Sequence, residues 1–308
     1  MKALIDRLWL SSLPIRTRLL LLFIVAALVP TLVAFAVIQR EVRTVDLQNL
    51  RTYITERGDN RADSVEDILN RMRSEMEVFV NESQNRQRLM YVASGNPVAR
   101  APEDLVSYID ERLIGSGLFE QVRVLSSDVN ALGEQMPGGV VQFSNTVITE
   151  DGPAQAVERF TDQSDSPAYA AARTAATRRD TERLTVYTED NRLIVEIIQV
   201  LSLGNNPVAF VIGRANVDNT LLPILQSEGN LVTNNSYLTT TTGHMVAPAG
   251  YMQRAAQSAQ VAPINRALGQ LTGTAIYQVG DVEMVGHYRG VAGTPLVLIT
   301  ETPTDTTF

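Results

Sequence analysis

The chain has no cysteine, a single lysine (Lys2), a single tryptophan (Trp9) and two histidines, His244 and His287. Without cysteine there is no disulfide framework and no thiolate chemistry. Two histidines leave little for a zinc site or a Ser-His-Asp triad. No G-x-S-x-G, Walker loop, C-x-x-C or H-E-x-x-H occurs. An enzyme is therefore not expected, nor a metal or cofactor. All of the 26 basic residues except Lys2 are arginine, which points to a GC-rich genome rather than to a function.

Charge is missing altogether from Leu19 to Ile38, "LLLLFIVAALVPTLVAFAVI", a run of twenty residues. At ~1.5 Å per residue it spans the ~30 Å hydrocarbon core of a bilayer. Pro30 inside it is tolerated in a membrane helix. Lys2, Arg7, Arg16 and Arg18 precede it against one acid, Asp6, so the amino terminus stays in the cytoplasm and residues 39–308 lie outside. "AFA" at 34–36 has the form of a signal-peptidase box, but the run exceeds the ~7–15 apolar residues of a signal peptide. The segment reads as an uncleaved anchor. The first 38 residues hold four bases and one acid, so the exported part carries −11 of a chain total of −8. An acidic exported domain is a poor partner for nucleic acid or anionic headgroups.

Proline is absent from 39–92, where Val65, Ile68, Leu69, Met72, Met76, Phe79 and Val80 form one helical stripe. Val42, Val45, Leu50 and Ile54 follow a similar step, and Gly58 in the polar "TERGDN" is a plausible weak point between the two stretches. A stripe this long needs a partner, either the domain core or a second copy. "ASGNPVARAP" (93–102) ends the helix, and "PEDLVSYIDERLIGSG" is a short second one. Strands follow at 118–127 and within 137–166. Next comes an Ala-rich helix at 166–179, with Ser166 as cap and Pro167 at its first position. Strands at 183–190, 191–203 and 206–217 lead to a segment broken by Pro223. The pattern restarts in "SYLTTTTGHMVAP" (236–248), passes a helical or irregular 251–268, and ends in three strands over 272–303 with a hairpin at Val279–Asp281.

Two windows, "VEIIQVLSLGNNPVAFVIGR" (195–214) and "VEMVGHYRGVAGTPLVLITE" (282–301), lie 87 positions apart and share a plan: apolar run, Gly/Asn/Pro break, apolar run ending in a charge. Each closes the sheet of a module whose strands precede it. Antiparallel hairpins with few helices between them argue against a doubly wound parallel sheet.

The order of membrane helix, long helix, "LIVEIIQVLSLGNNPVAFVIGRANV", "SYLTTTTGHMVAP" and "VGHYRGVAGTPLVLITETP" resembles the double Cache ectodomain of bacterial transmembrane receptors over residues 19–303. Tyr288, Val291, Gly293, Thr294, Leu296, Leu298, Glu301 and Pro303 resemble that family's closing stretch. The resemblance implies an α+β fold of two PAS-like antiparallel-sheet modules along the long helix, a parallel homodimer through that helix, and a small-molecule pocket in the membrane-distal module. The implied organisation is a cytoplasmic N-terminus (1–18), a transmembrane helix (19–38), a stalk helix (39–92), a distal module (93–225) and a proximal module (226–304). It also implies a second membrane helix and a histidine kinase, chemotaxis or cyclase output. Neither occurs in residues 1–308, which leaves a fragment or a shortened product as the expectation.

For an acidic or zwitterionic ligand, arginine supplies a bidentate fork and tyrosine an apolar wall with a hydroxyl. The distal module offers Arg123, Tyr169, Arg173, Tyr187 and Arg214, with Tyr169 and Arg173 on one helix face. The plainer reading is surface arginines and half-buried aromatics. "DQSD" (162–165) reads as a loop cap rather than a cation site, His244 as a solvent-facing turn residue, and His287 as packed or exposed on a strand. Amino-acid-binding members of the family carry an Arg-x-Trp-Tyr stretch and an aspartate after the strand glycine. "SPAYAAAR" lacks the pair, and Ala215 stands where the aspartate is expected, with Asp218 three residues on, so a sensor of that type is not expected. The reading is an extracytoplasmic sensor anchored in the bacterial inner membrane. The rival is an anchored exported scaffold without a ligand.

Overall fold

The computed structural model describes residues 14–94, 103–130, 132–145, 148–149, 152–153, 160–190, 192–226, 235–261 and 272–305. Expectations for residues 1–13, the break at 95–102, most of the loop 146–159 and residues 262–271 fall outside them.

Helix α1, Ile15–Asn81, carries the apolar run, and its Leu19, Phe23, Leu32 and Ile38 are each more than half exposed. It is the one described helix long and apolar enough to cross a membrane. Pro30 lies inside it, and next to it the Thr31 hydroxyl bonds the Ala27 carbonyl (2.8 Å). The chain divides into two units, Met1–Thr52 with Thr307–Phe308, and Tyr53–Thr306.

In the second unit the stripe on α1 is buried as the spacing predicts: Val65, Leu69, Met72, Met76, Phe79 and Val80 are at most 2% exposed, and Ile68 packs at the margin. The helix runs unbroken through Gly58, contrary to the expected weak point. The glycine is there for space: a Cβ would lie 2.3 Å from Cδ2 of His287, whose ring rests on the helix. The interruption comes instead at Glu82, where ψ of 127° leaves the helical region and the Glu82 carboxylate accepts from Asn85 Nδ2 (2.9 Å). Helix α2, Ser83–Val92, follows; α3, Glu103–Tyr108, runs into a π-helix at Ile109–Ile114 that buries Ile109 and Leu113.

The first sheet takes β1 (Phe119–Ser126), β2 (Val141–Ser144), β5 (Glu182–Glu189), β6 (Arg192–Leu203) and β7 (Asn206–Ala215) in the order β2-β1-β7-β6-β5. Between β2 and β5 lie a small ribbon, β3 (Ile148–Thr149) with β4 (Gly152–Pro153), and helix α4, Pro167–Arg178. As the sequence predicts, the Ser166 side chain caps α4 by accepting from the Tyr169 N–H, and Pro167 opens its first turn. Helix α5, Val217–Gln226, keeps Pro223 inside it and leads to the second sheet. That sheet takes β8 (Asn235–Thr239), β9 (Met245–Val246), β10 (Gly273–Val279), β11 (Val282–Gly290) and β12 (Val297–Pro303), with a 3₁₀ turn and helix α6, Met252–Val261, between β9 and β10. Its order is β10-β11-β12-β8-β9. Numbered within each module, both sheets read 2-1-5-4-3 with a helix between the second and third strands, and every pair is antiparallel.

The two similar windows are the hairpins β6–β7 and β11–β12. They come last in each module but sit inside the sheets, not at an edge, which explains apolar runs that continue across both faces. Each sheet turns one face to α1, where Val122, Val124, Val211, Leu238 and Leu298 join one core with the helix stripe. The opposite faces have cores of their own: Leu125, Ile198, Phe210 and Ile212 with α4, and Tyr237, Val297 and Ile299 with Ala255 of α6.

Candidate functional site

On the α4 side of the first sheet the apolar residues fill only part of the face. Alternation along the strands places Arg123 two residues before Leu125, Glu196 two before Ile198 and Arg214 two after Ile212. Helix α4 covers the apolar part. The charged part lines a cavity of about 390 Å³ with Arg123, Tyr187, Glu189, Arg214 and the turn Asp162–Pro167.

Glu196, fully buried, ties the site together. Arg123 Nη2 donates to its Oε1 at 2.7 Å and Arg214 Nε to the same oxygen at 3.1 Å. Arg214 also donates through Nη1 to Glu189 Oε2 (2.8 Å) and through Nη2 to the Tyr187 hydroxyl (3.2 Å). Burial works against the Arg214 charge, but Glu196, Tyr187 and Glu189 outweigh it and hold its pKa above the ordinary arginine value. Burial first, and then Glu196, pushes the Tyr187 hydroxyl up to about 12, against the pull of Arg214, so it stays a neutral hydroxyl. One oxygen of Glu196 thus serves two guanidinium groups, while its Oε2 and the Nε of Arg123 are buried without a hydrogen-bond partner among the described residues.

Of the five candidate residues, Arg123, Tyr187 and Arg214 meet at this cavity. Tyr169 and Arg173 do not. They share a helix face as predicted, with the guanidinium 6.0 Å from the ring centroid, but they line a different groove of about 300 Å³ beside Asp128 and Phe210. The reason is that α4 sets Tyr169 edge-on against Phe210 in the apolar part of the face. Sequence reasoning missed Glu196, although a lone charge inside "LIVEIIQVL" was a signal for a buried partner. It also missed Glu189. "DQSD" is a loop cap, as expected: Asp162 Oδ1 accepts the Ser164 N–H at 2.9 Å, which holds its carboxyl below the usual range. Asp218 pairs with Arg192 (2.6 Å), and Ala215 faces the α1 core, so neither reaches the cavity.

The second module has a polar centre of a different kind. Glu301, fully buried, accepts hydrogen bonds from Tyr251 and from Ser258 (2.6 Å) at Oε1, and from Tyr277 at Oε2. Both modules bind α1. Arg73 contacts Glu182 of the first (3.0 Å) and donates to the Gly293 carbonyl of the second (3.0 Å). Arg289 pairs with Asp63 (2.6 Å), His287 meets Asp59 (3.1 Å), and the buried Arg61 donates to the Ser236 hydroxyl. Across the modules Thr188 Oγ1 lies 2.7 Å from His244 Nδ1, so His244 is not simply a solvent-facing turn residue.

Two five-stranded antiparallel sheets of one topology, both packed on one long helix, make this a double Cache fold. The solved structures that share it include the sensory domain of the Campylobacter jejuni chemoreceptor Tlp3, with a TM-score of 0.55 and 12% identity over 85% of this chain and 97% of that one. The ligand-binding domain of the Pseudomonas fluorescens chemoreceptor CtaA in complex with L-serine matches at 0.53 and 14% identity, over 84% of this chain and 99% of that one. That of the Pseudomonas aeruginosa amino acid chemoreceptor PctC in complex with GABA matches at 0.51 and 12%, over 82% and 98%. No family model and no curated protein matches the sequence.

Proposed function

We propose that this chain is the extracytoplasmic ligand-sensing region of a bacterial transmembrane receptor of the histidine kinase, chemotaxis or cyclase type. It is held in the inner membrane by residues 19–38 and takes a small polar molecule in the first-module cavity. The observation that carries this reading is that two arginines lining that cavity share one fully buried carboxylate, with one buried donor and one buried acceptor unpartnered among the described residues. A buried charge network is costly to maintain and is weak as a stabilising device, which favours a binding role. The fold supports it, since the neighbours named above are ligand-binding or sensory domains of chemoreceptors.

Arg123, at the cavity wall and only 4% exposed, is the group to receive an acceptor on the ligand, such as a carboxylate; Tyr187 and Arg214 flank it. The CtaA and PctC domains were solved with amino-acid ligands. The aspartate expected for an amine is absent here, so a ligand of another class is proposed for this chain. Signalling is a population shift: a ligand that prefers one arrangement by about 1.4 kcal/mol changes the ratio tenfold. Arg73, bonded to both modules, is placed to pass a change at β5 to the long helix, through which two copies pair.

The test is a thermal-shift screen of the full chain in detergent micelles against a metabolite panel, with wild type and R123M side by side. A concentration-dependent rise in Tm for wild type only supports sensing. A flat response across organic acids, amines, sugars and amino acids favours an anchored scaffold, and micromolar binding of free amino acids would overturn the ligand-class reading.

A further inference from the structure

The strand ladders put both modules in one frame. Glu196 pairs with Arg214 across β6–β7, and Gly286 pairs with Glu301 across β11–β12. Arg123 lies opposite Ile212 as Tyr237 lies opposite Ile299. Tyr187 is two residues along β5 from Thr185, the partner of Glu196; Tyr277 is two residues along β10 from Ala275, the partner of Gly286. The four groups that build the first-module site, Arg123, Tyr187, Glu196 and Arg214, therefore have Tyr237, Tyr277, Gly286 and Glu301 as counterparts. The charge on the last strand is reversed, and the central carboxylate is replaced by a glycine.

That glycine decides what fills the second module. A Cβ on Gly286 would lie 2.3 Å from the Tyr277 hydroxyl oxygen and 2.8 Å from its Cε1, so the ring lies over bare backbone where Glu196 stands in the first module. Its hydroxyl then reaches Glu301 Oε2. Glu301 has no ion-pair partner among the described residues; hydroxyls alone compensate its carboxylate. We propose that the second module is a phenol-binding site that the chain occupies with its own Tyr277. The recognition elements are a flat slot over Gly286 and one carboxylate oxygen at its end, which suit a planar ring with a single O–H donor. Burial, and then Glu301, pushes the Tyr277 hydroxyl far above its ordinary pKa, in keeping with a neutral phenol. Tyr277 sits on edge strand β10. The proposal does not depend on what binds in the first module.

The experiment is cavity rescue in the full chain in micelles, with 4-methylphenol as probe. Y277A is expected to lose Tm and to regain part of it as 4-methylphenol is added, in a saturable way. Wild type and Y187A, altered at the counterpart position, are expected not to respond, and toluene, which lacks the O–H, is expected not to rescue Y277A. Equal shifts in all three proteins, or none in folded Y277A, overturn the proposal. If Y277A shows no folded signal by circular dichroism, G286A gives the reading instead. Its methyl group displaces the free end of Tyr277, and one tyrosine should then ionise near the ordinary value of about 10 in an ultraviolet absorbance titration. A wild-type titration curve for G286A would equally overturn the proposal.

Discussion

Replacing Glu196 with glutamine removes one charge from the first-module network while keeping the shape of the side chain. In the native protein its Oε1 serves Arg123 at 2.7 Å and Arg214 at 3.1 Å. Arg214 retains Glu189, but Arg123, 5% exposed at its side chain, has no other ion pair among the described residues. Removing one member of a buried pair costs about 3–5 kcal/mol, because the other charge stays buried and uncompensated. The glutamine carbonyl still accepts one hydrogen bond, so the lower end, about 3 kcal/mol, is expected. At roughly 2–4 °C per kcal/mol for a domain of this size, that is a fall in Tm of about 6–12 °C. The assay is urea unfolding followed by circular dichroism, with E189Q as the comparison. Glu189 is 49% exposed, and its loss should cost no more than about 1 kcal/mol. If E196Q unfolds within 1 kcal/mol of wild type, the two arginines are not held by this carboxylate, and the account of the charge network beside the cavity fails.

G58A sets a helix-propensity gain of about 1 kcal/mol against a Cβ 2.3 Å from the His287 ring, an overpacking of about 1–3 kcal/mol, so a net loss in urea midpoint is expected. S166A removes the α4 cap and should cost about 1 kcal/mol in the same assay. Y187F removes the acceptor of Arg214 Nη2, about 0.5–1.5 kcal/mol, and should weaken ligand-induced stabilisation, whereas Y169F, in the other groove, should leave it intact. His287 is held below its ordinary pKa of 6.5, chiefly by burial and also by Arg289, against the opposing pull of Asp59. Below pH 6.5 the unfolded imidazole takes a proton that the native one still refuses, so its contribution is present in full above that value and is lost on acidification. The wild-type urea midpoint should fall more than that of H287Q between about pH 7 and 5.5; equal slopes would refute the assignment.

The fold was legible to the extent that it rests on period. The α1 stripe from Val65 to Val80, the strand runs and the capped α4 are each present, because burial on one face imposes their spacing, whereas of the earlier stretch Leu50 and Ile54 are buried and Val42 and Val45 are exposed. What was not legible turned on contacts between segments distant in sequence. Gly58 looked like a break because a lone glycine in a polar stretch weakens a helix; only the His287 ring, 229 positions later, shows that it is a close approach. Tyr169 and Arg173 looked equivalent to Tyr187 because chemistry, not position, picked them. Which end of the sheet face a helix covers is set by packing against Leu125 and Phe210. Glu196 is the one charge inside "LIVEIIQVL", and its role is set by Arg123 and Arg214, 73 and 18 positions away in the sequence.

The same strand order can enclose either a cavity or a filled core, and the row through β6, β7, β11 and β12 shows what decides between them. Glu196 faces Arg214 at one end of the sheet face, the helix packs on the apolar end, and space is left beside the charges. A glycine at 286 beside a carboxylate at 301 leaves room for the chain's own aromatic ring, and hydroxyls take the place of counter-charges. Two positions in one ladder row therefore distinguish the module with a cavity beside its charges from the module whose polar centre holds a tyrosine ring. On this argument G286E with E301R, which copies the first-module row into the second, should displace Tyr277 and open a second cavity. A tyrosine that ionises near the ordinary value of about 10 in the variant, and not in wild type, in an ultraviolet absorbance titration is the expected outcome. A wild-type titration curve in a folded variant would show that more than this row sets the difference.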